Sequence, residues 1–407
     1  MKIRVGVFFG GKSVEHEVSI ISALQAIHAF DKAKYEIVPV YITKEGDMFA
    51  GNDLDKIEEY RDVPALLKKS RRVFLHRDKG RVLLVRYPMR RFGDSVYAEI
   101  DVAFPITHGT NVEDGALQGY LKTLSVPFVG CGVTASAAGM DKYVTKALCK
   151  ENGIPVLDCK RVYVKEYYGE REKAIARIES AMPYPVIVKP ANLGSSVGIG
   201  RAGGTEELRE ALEYAFQFAD TVLAEPAVAR LREINCSVLG DRESAAASEC
   251  EEPINSHVIL SYEDKYMSEG GKTKGMSAAK RQLPAHIPPE VREKIRKLAV
   301  ETFQLLGCNG IARVDFLMDA DNGNIWVNEI NTIPGSLSFY LWEPVGMSYT
   351  RLLDEAVRLA FKRQREEAEI TYSFDTNILA QFGPGSGTKG LKLKGIKNPA
   401  SPAPSST

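Results

Sequence analysis

The chain lacks the marks of a protein that crosses a membrane or coats nucleic acid. Its 53 Lys+Arg are matched by 53 Asp+Glu, so the formal net charge is zero. That leaves no excess of one sign for nucleic acid or anionic lipid, and neither is expected as a partner. No apolar run is long enough to span a bilayer, and the opening MKIRVGVFFGG, interrupted by Arg4, is too short for a signal-peptide core. The six cysteines (Cys131, Cys149, Cys159, Cys236, Cys250 and Cys308) contain no Cys-x-x-Cys pair, and a chain of this size needs no staples. Reduced thiols and a cytoplasmic setting are expected. Internal repeats are also absent. What remains is 407 residues, 44% hydrophobic and 26% charged, enough for several domains with real cores at roughly 100–200 residues each.

The first half alternates strands and helices with glycine-rich turns between them. Ile3 to Phe9 reads as a strand, Gly10-Gly11-Lys12-Ser13 as a tight turn, and Val14, Val18, Ile21, Leu24 and Ile27 as a helix face with Ser13 at its N-cap. Tyr35 to Thr43 is a second strand, while 44–100 reads as charged surface excursions with a hairpin at Arg81 to Tyr87. A strand over Asp101 to Ile106, the loop THGTNVEDG, a helix over Ala116 to Leu124, a strand over Val126 to Val129 and one helix over Thr134 to Asn152 follow. This rhythm predicts an open parallel α/β domain over 1–133. From about residue 159 the rhythm changes toward mixed strands and helices. Residues 262–282 form a polar loop of the kind that serves as a lid. Val291, Ile295, Leu298, Ala299, Thr302 and Leu306 form a helix face closed by Gly307, and a last helix runs over Tyr349 to Lys362. The end of the chain, 375–407, is Pro/Ser/Ala-rich and basic, and reads as a disordered tail.

The strongest chemical signal is a pair of alternating arms, Gly310 to Phe316 and Ile325 to Asn331, around Asp321-Asn322-Gly323, a hairpin turn sequence. A hairpin centred near Asn322 sets Asp315 opposite Glu329 and Arg313 opposite Asn331, all on one face. Facing carboxylates about 5 Å apart repel unless a positive charge lies between them. Mg²⁺ suits that geometry, because it takes one or two carboxylates and completes its shell with water and phosphate oxygens. Asn331 adds a neutral oxygen, and Arg313 is placed to hold an oxyanion. The alternative for an isolated pattern of this kind is a solvent-facing hairpin with cross-strand charge pairs.

A second signal is Lys189 followed by PANLGSSVG, a strand-end ammonium and a loop of hydroxyls and free N–H groups suited to phosphate. It is not a P-loop, since no Gly-Lys-Ser/Thr opens a helix there. Taken singly, Glu225, Glu233, Lys142, Glu15 and His108 say less. Glu225 could accept from ribose hydroxyls or simply be solvated, and Lys142 near a helix start hints at a phosphate. His108 follows a strand whose end should open on a ligand crevice, or it is a satisfied structural histidine.

Taken together, GGKSVEHEVS at 10–19, HGTNVEDGALQG at 108–119, PFVGCGVTASAAGMDK at 127–142, VKPANLGSSVG at 188–198 and ARVDF…VNEINTIPG at 312–335 resemble the D-alanine-D-alanine ligases. The resemblance covers nearly all of residues 1–365, in order. It implies an ATP-grasp fold, with ATP between two α+β lobes, a central one over 134–225 and a carboxyl-terminal one over 226–372 that carries the lid loop, behind an amino-terminal α/β domain. It also implies Mg²⁺ or Mn²⁺ as cofactor, ATP and D-alanine as substrates, peptidoglycan precursor synthesis as the purpose, and a homodimer. In that family ATP phosphorylates the carboxylate of one D-alanine, and the amine of a second attacks the acyl phosphate.

By the same resemblance Asp315, Glu329 and Asn331 hold the metal, and Lys142, Lys189 and Ser196 the phosphates. Glu225 and Glu233 sit at adenine and ribose, with the Pro226 carbonyl and Val228 N–H reading the adenine edge. Glu15 binds the first ammonium, and Ser195 and Tyr266 link to it and close the lid. Arg313 and the N–H of Gly335 form the oxyanion hole. His108, Tyr340 and Leu341 belong with the substrates. Three positions depart from the pattern: Val112 stands where HGxxGEDG members carry Gly, Tyr340 where a small hydroxyl residue contacts the second substrate's carboxylate, and the lid carries a Lys-rich insert. A D-alanine-D-serine ligase is therefore the second reading. Lys265-Tyr266 argues against a D-lactate acceptor. Another ATP-grasp carboxylate-amine ligase, or a regulator that binds nucleotide without turnover, completes the alternatives.

Overall fold

The structure, a computed structural model, describes residues 2–90, 92–254 and 281–374. Residues up to Gln364 form one compact unit holding three sheets; 365–374 belong to a second unit and comprise the end of the last helix and residues outside any helix or strand. The architecture is α/β followed by α+β. Most of the lid segment, including Tyr266, and the tail from 375 lie outside the described residues.

The first sheet begins as expected, with β1 (Ile3–Gly10), α1 (His16–Ala29) and β2 (Tyr35–Ile42), β1 and β2 running parallel. Helix α1 starts later than Ser13 suggested. Its N-cap is Glu15, and the Ser13 hydroxyl instead accepts from the Glu15 N–H at 3.1 Å. The segment 44–100 is more than surface excursion. It contributes β3 (Met48–Ala50), the short helix α2 (Val63–Lys69), β4 (Arg71–Asp78), β5 (Arg81–Arg86) and β6 (Val96–Ile100). With β7 (Val102–Pro105) these give a seven-stranded sheet in the order β6-β5-β4-β3-β2-β1-β7. Only the β1 pairings with β2 and β7 are parallel; the added strands are antiparallel. Their many Arg residues hid an inward face of Val73, Leu75, Val82 and Leu84, all buried.

After α3 (Ala116–Thr123), the expected strand at 126–129 is reduced to a single parallel bridge between Ala103 and Phe128. The single helix expected over 134–152 is two, α4 (Val133–Met140) and α5 (Lys142–Glu151). Asp141 breaks it: its backbone leaves the helical region, and its carboxylate accepts from the N–H groups of Tyr143 and Val144. The break places Lys142 at the very start of α5.

The central lobe is a four-stranded sheet of β8 (Lys160–Tyr163), β9 (Val186–Pro190), β10 (Gly200–Ala202) and β11 (Thr221–Pro226), in the order β10-β9-β11-β8. It is backed by α6 (Val164–Gly169), α7 (Arg171–Glu179) and α8 (Thr205–Ala215); Gly204, not Thr205, occupies the α8 N-cap position. Ile175, Ile178, Leu208 and Leu212 pack on Val186, Val188 and Val222.

The last sheet has β12 (Leu231–Gly240), β13 (Ala245–Pro253), β14 (Arg281–Gln282), β15 (Gly310–Asp319) and β16 (Ile325–Asn331), in the order β14-β13-β12-β15-β16. Helix α9 (Pro289–Leu305) covers one face with Ile295, Leu298, Ala299, Thr302 and Phe303; Gly307, in the left-handed region at φ +67°, closes it as expected. The final helix, α10 (Tyr349–Ala368), is longer than predicted. Its Leu352, Leu353, Ala356 and Val357 share one core with Val5, Val7, Leu24 and Ile27 of the first domain. Burying such aliphatic side chains contributes about 1.5–3 kcal/mol for each large one, so α10 anchors against the amino-terminal core.

Candidate functional site

The hairpin of β15 and β16 has the expected register: Asp315 faces Glu329, and Arg313 faces Asn331. The ladder shifts between Asp315 and Phe316, a bulge that leaves Asn328 without a counterpart. Its amide oxygen accepts from Lys189 Nζ at 2.8 Å. The pairing continues into the sheet. Asn235 lies opposite both Asp315 and Glu251, so Glu251, Asn235, Asp315 and Glu329 form one polar row across four strands.

Each facing carboxylate is held by a cation of the chain. Arg313 forks onto Asp315 through Nε at 2.6 Å and Nη2 at 2.7 Å, and Asn331 Nδ2 donates to the same carboxylate at 3.0 Å. Lys142 Nζ pairs with Glu329 at 3.0 Å and donates to the Leu193 carbonyl at 2.7 Å. Arg313 is 8% exposed, and its Nη1 has no hydrogen-bond partner among the described residues. No group of three His, Cys, Asp or Glu that could hold a metal occurs among the described residues. Two carboxylates and an amide oxygen fit instead a Mg²⁺ that takes its remaining oxygens from water and phosphate.

Opposite this row stand three lysines rather than the two singled out from sequence. Lys146, one turn after Lys142 on α5, pairs with Glu225 Oε1 at 3.1 Å, and Lys189 pairs with Glu225 Oε2 at 2.9 Å. Glu225 is 2% exposed, so it is not a solvated strand-end acid. Burial alone would raise its pKa, but the ammonium groups of Lys189 and Lys146 outweigh burial and hold the carboxyl ionised. Two buried cations on one anion leave a net positive charge, which suits phosphate. The i, i+4 spacing in MDKYVTK was the available signal for Lys146.

At the other end of the site Glu15, 9% exposed, accepts from the Ser195 hydroxyl. Ser195 and Ser196 take left-handed backbone at φ +56° and +59° in the 194–198 turn. Glycine backbones crowd around Glu15. A Cβ on Gly109 (φ +81°) would come within 2.8 Å of Glu15 Oε2 and 2.2 Å of Ser13 Oγ. Behind it lies Glu113, which the sequence reading left inside the HGTNVEDG motif without a role. It accepts from Gly109 N–H at 3.0 Å and Ile333 N–H at 2.8 Å. Burial, reinforced by the charge of Glu15, pushes its pKa up to about 7.

His108 is a bridge. Its Nδ1 is 2.8 Å from the Ile333 carbonyl and its Nε2 is 2.9 Å from Ser22 Oγ, whose oxygen also accepts from Ser336 N–H at 2.9 Å. Since a carbonyl only accepts, Nδ1 carries the proton and Ser22 donates to Nε2. Burial, aided by the charge of Arg313, lowers its pKa to about 4 against an ordinary 6.5. The unfolded chain therefore takes up this proton first, and stability present above pH 6.5 is lost as pH falls towards 4. The shift is on the order of 3 kcal/mol. His108→Asn should flatten the acid limb of a stability profile measured by urea unfolding between pH 7 and 4; an unchanged slope would remove His108 as its source.

The 3₁₀ segment Gly335–Leu341 carries Tyr340 and Leu341, the residues expected at the substrates from the resemblance. Ser336, Leu337 and Ser338 are all buried and left-handed, at φ +51°, +50° and +49°. Tyr340 is 6% exposed and donates to Glu251 Oε1 at 3.1 Å; burial, then the Glu251 charge, raises its pKa and keeps the phenol protonated. Leu341 is fully buried, so its side chain is core and its backbone is what it can offer a substrate. Pro226 ends β11, Val228 is half-buried, and Glu233 lies on β12 opposite Leu317.

The chain is similar to known proteins over most of its length. Two family profiles match the chain, D-ala D-ala ligase N-terminus over residues 4–131 and D-ala D-ala ligase C-terminus over residues 148–358. A D-alanine--D-alanine ligase of Thermoanaerobacter sp. (strain X514) is 42% identical over 378 residues, covering 90% of this chain and 98% of the relative. Among solved structures, the D-alanine-D-alanine ligase from Coxiella burnetii has a TM-score of 0.74 at 30% identity, covering 90% of this chain and 96% of that one. The VanG D-Ala:D-Ser ligase from Enterococcus faecalis has a TM-score of 0.73 at 29% identity, covering 88% and 100%. With both family halves matched in order and the polar row in place, the chain belongs to the D-alanine-D-alanine ligase family.

Proposed function

We propose that the protein joins two D-alanines into D-alanyl-D-alanine at the expense of ATP, for peptidoglycan precursor synthesis. The observation that carries this reading is the Asp315–Glu329 pairing facing Lys142, Lys146 and Lys189 across the site. In this reading Lys142, Lys189 and Ser196 hold the phosphates, with Lys146 as a third cation. Pro226 and Val228 offer their backbone to adenine, and Glu233 faces the ribose. Both oxygens of Glu225 are engaged by lysines, so its part is to fix those cations beside the nucleotide.

Asp315, Glu329 and Asn331 would hold Mg²⁺, which when bound neutralises phosphate charge between them. Glu15 takes the ammonium of the first D-alanine, leaving its carboxylate to attack the γ-phosphorus with loss of ADP. The amine of the second then attacks the acyl carbon, the oxygen charge passes to Arg313 and the Gly335 N–H, and inorganic phosphate leaves. Among the described residues no helix is long and apolar enough to cross a membrane. A cytoplasmic homodimer acting on small molecules accompanies the reading.

The test is ADP release by purified protein with ATP, Mg²⁺ and D-alanine, with D-serine in competition and product identified by mass. D-alanyl-D-alanine as the main product supports the reading. D-alanyl-D-serine would favour the second reading, to which the likeness to VanG points. No product from any D-amino acid would overturn both.

A further inference from the structure

We propose that Arg281 reads the carboxylate of the acceptor amino acid, with Glu251 and Tyr340 fixing its guanidinium in place. This rests on the ligase reading above and adds the group that selects the second substrate.

An acceptor has two charged ends. Its amine must reach the carbon beside Arg313, which leaves a full negative charge a few ångströms away, among the buried side chains of Arg313, Glu251 and Tyr340. That charge needs a partner there. The hydroxyl at position 340 does not serve, because the Tyr340 phenol donates its proton to Glu251. Glu251 does not serve either. It is an anion, already accepting from Tyr340, from Asn235 Nδ2 at 3.1 Å and from Arg281 Nη1 at 2.9 Å.

The geometry of Arg281 suits the task. It lies on β14, opposite Pro253 at the end of β13. Its guanidinium carbon sits 3.8 Å from the centre of the Tyr340 ring, so the plane is held by stacking on one side and by Glu251 at one edge. An Arg presents five N–H donors in a rigid fork, and a fork so fixed is organised for a bidentate carboxylate. The distance is also right. Glu251 and Asp315 occupy the same row two strands apart, which is about 10 Å at a strand spacing of about 4.8 Å. An amino acid fills only part of that gap, and the contacts at its two ends, amine to acyl carbon and carboxylate to Arg281, make up the rest.

The experiment uses the full chain with Arg281→Met, which keeps bulk, and Arg281→Lys, which keeps charge without the fork. Two acceptors are compared against a D-alanine donor: D-alanine, and D-alaninamide, which has an amine but no carboxylate. Trapping the acyl phosphate with hydroxylamine reads the first half-reaction alone. In Arg281→Met the acceptor KM for D-alanine should rise about 10- to 100-fold. The D-alaninamide KM should move less than about threefold, hydroxamate formation should persist, and Arg281→Lys should fall between. Equal losses with both acceptors would assign Arg281 a structural role, and no loss with either would remove it; both outcomes overturn the proposal. Absence of hydroxamate in the unmodified protein would instead sink the ligase reading and the proposal with it.

Discussion

Arg313→Ala should lower kcat by at least about 100-fold while nucleotide affinity changes little, as expected for a donor that acts on charge developing in the transition state. Two features set this expectation. The guanidinium is buried, and Nη1 has no hydrogen-bond partner among the described residues, so one N–H is free for an oxyanion. The other contacts, at 2.6 and 2.7 Å to Asp315, fix the plane. Truncation also releases Asp315 from its cation. Repulsion from Glu329 then grows, and the demand for Mg²⁺ with it. The variant should therefore bind Mg²⁺ at least as well as the parent in a titration followed by nucleotide fluorescence. Turnover within tenfold of the parent would show that Arg313 is a structural partner of Asp315 and no more.

Glu225→Gln should cost about 3–5 kcal/mol of stability, the range found when one member of a buried ion cluster is removed. Lys146 and Lys189 approach this carboxylate at 3.1 and 2.9 Å, and all three groups are nearly inaccessible. Without the anion, two buried ammonium groups face each other across a neutral amide. ATP should then restore more stability to the variant than to the parent, because its phosphates supply the lost charge and bind only the folded state. Urea unfolding with and without nucleotide measures both effects. Equal stabilisation of the two proteins by ATP would show that these lysines do not meet phosphate.

Local chemistry made part of this legible. Asp321-Asn322-Gly323 and the alternation on either side fix the hairpin, and the pairing of Asp315 with Glu329 follows by counting. Counting could not reveal the bulge after Asp315, which frees Asn328 for Lys189. The helix break at Asp141 was hidden because apolar spacing runs straight through it; only the capping carboxylate marks the boundary. Strands β4 and β5 were obscured by their arginines, a case of sheet context overriding composition. The cluster of Glu251, Arg281 and Tyr340 joins residues 30 to 89 positions apart, and no local pattern encodes such a meeting.

Ser336, Leu337 and Ser338 wind against the natural hand of an L-peptide, a conformation costing about 1–2 kcal/mol per residue, so this wall does not hold its own shape. The mould comes from elsewhere in the chain: Ser22 receives the Ser336 N–H, and His108 grips the Ile333 carbonyl. A carboxyl-terminal half expressed alone would keep its acidic hairpin yet let this wall uncoil. The opening domain thus acts as the template on which the berth proposed for the second substrate is shaped.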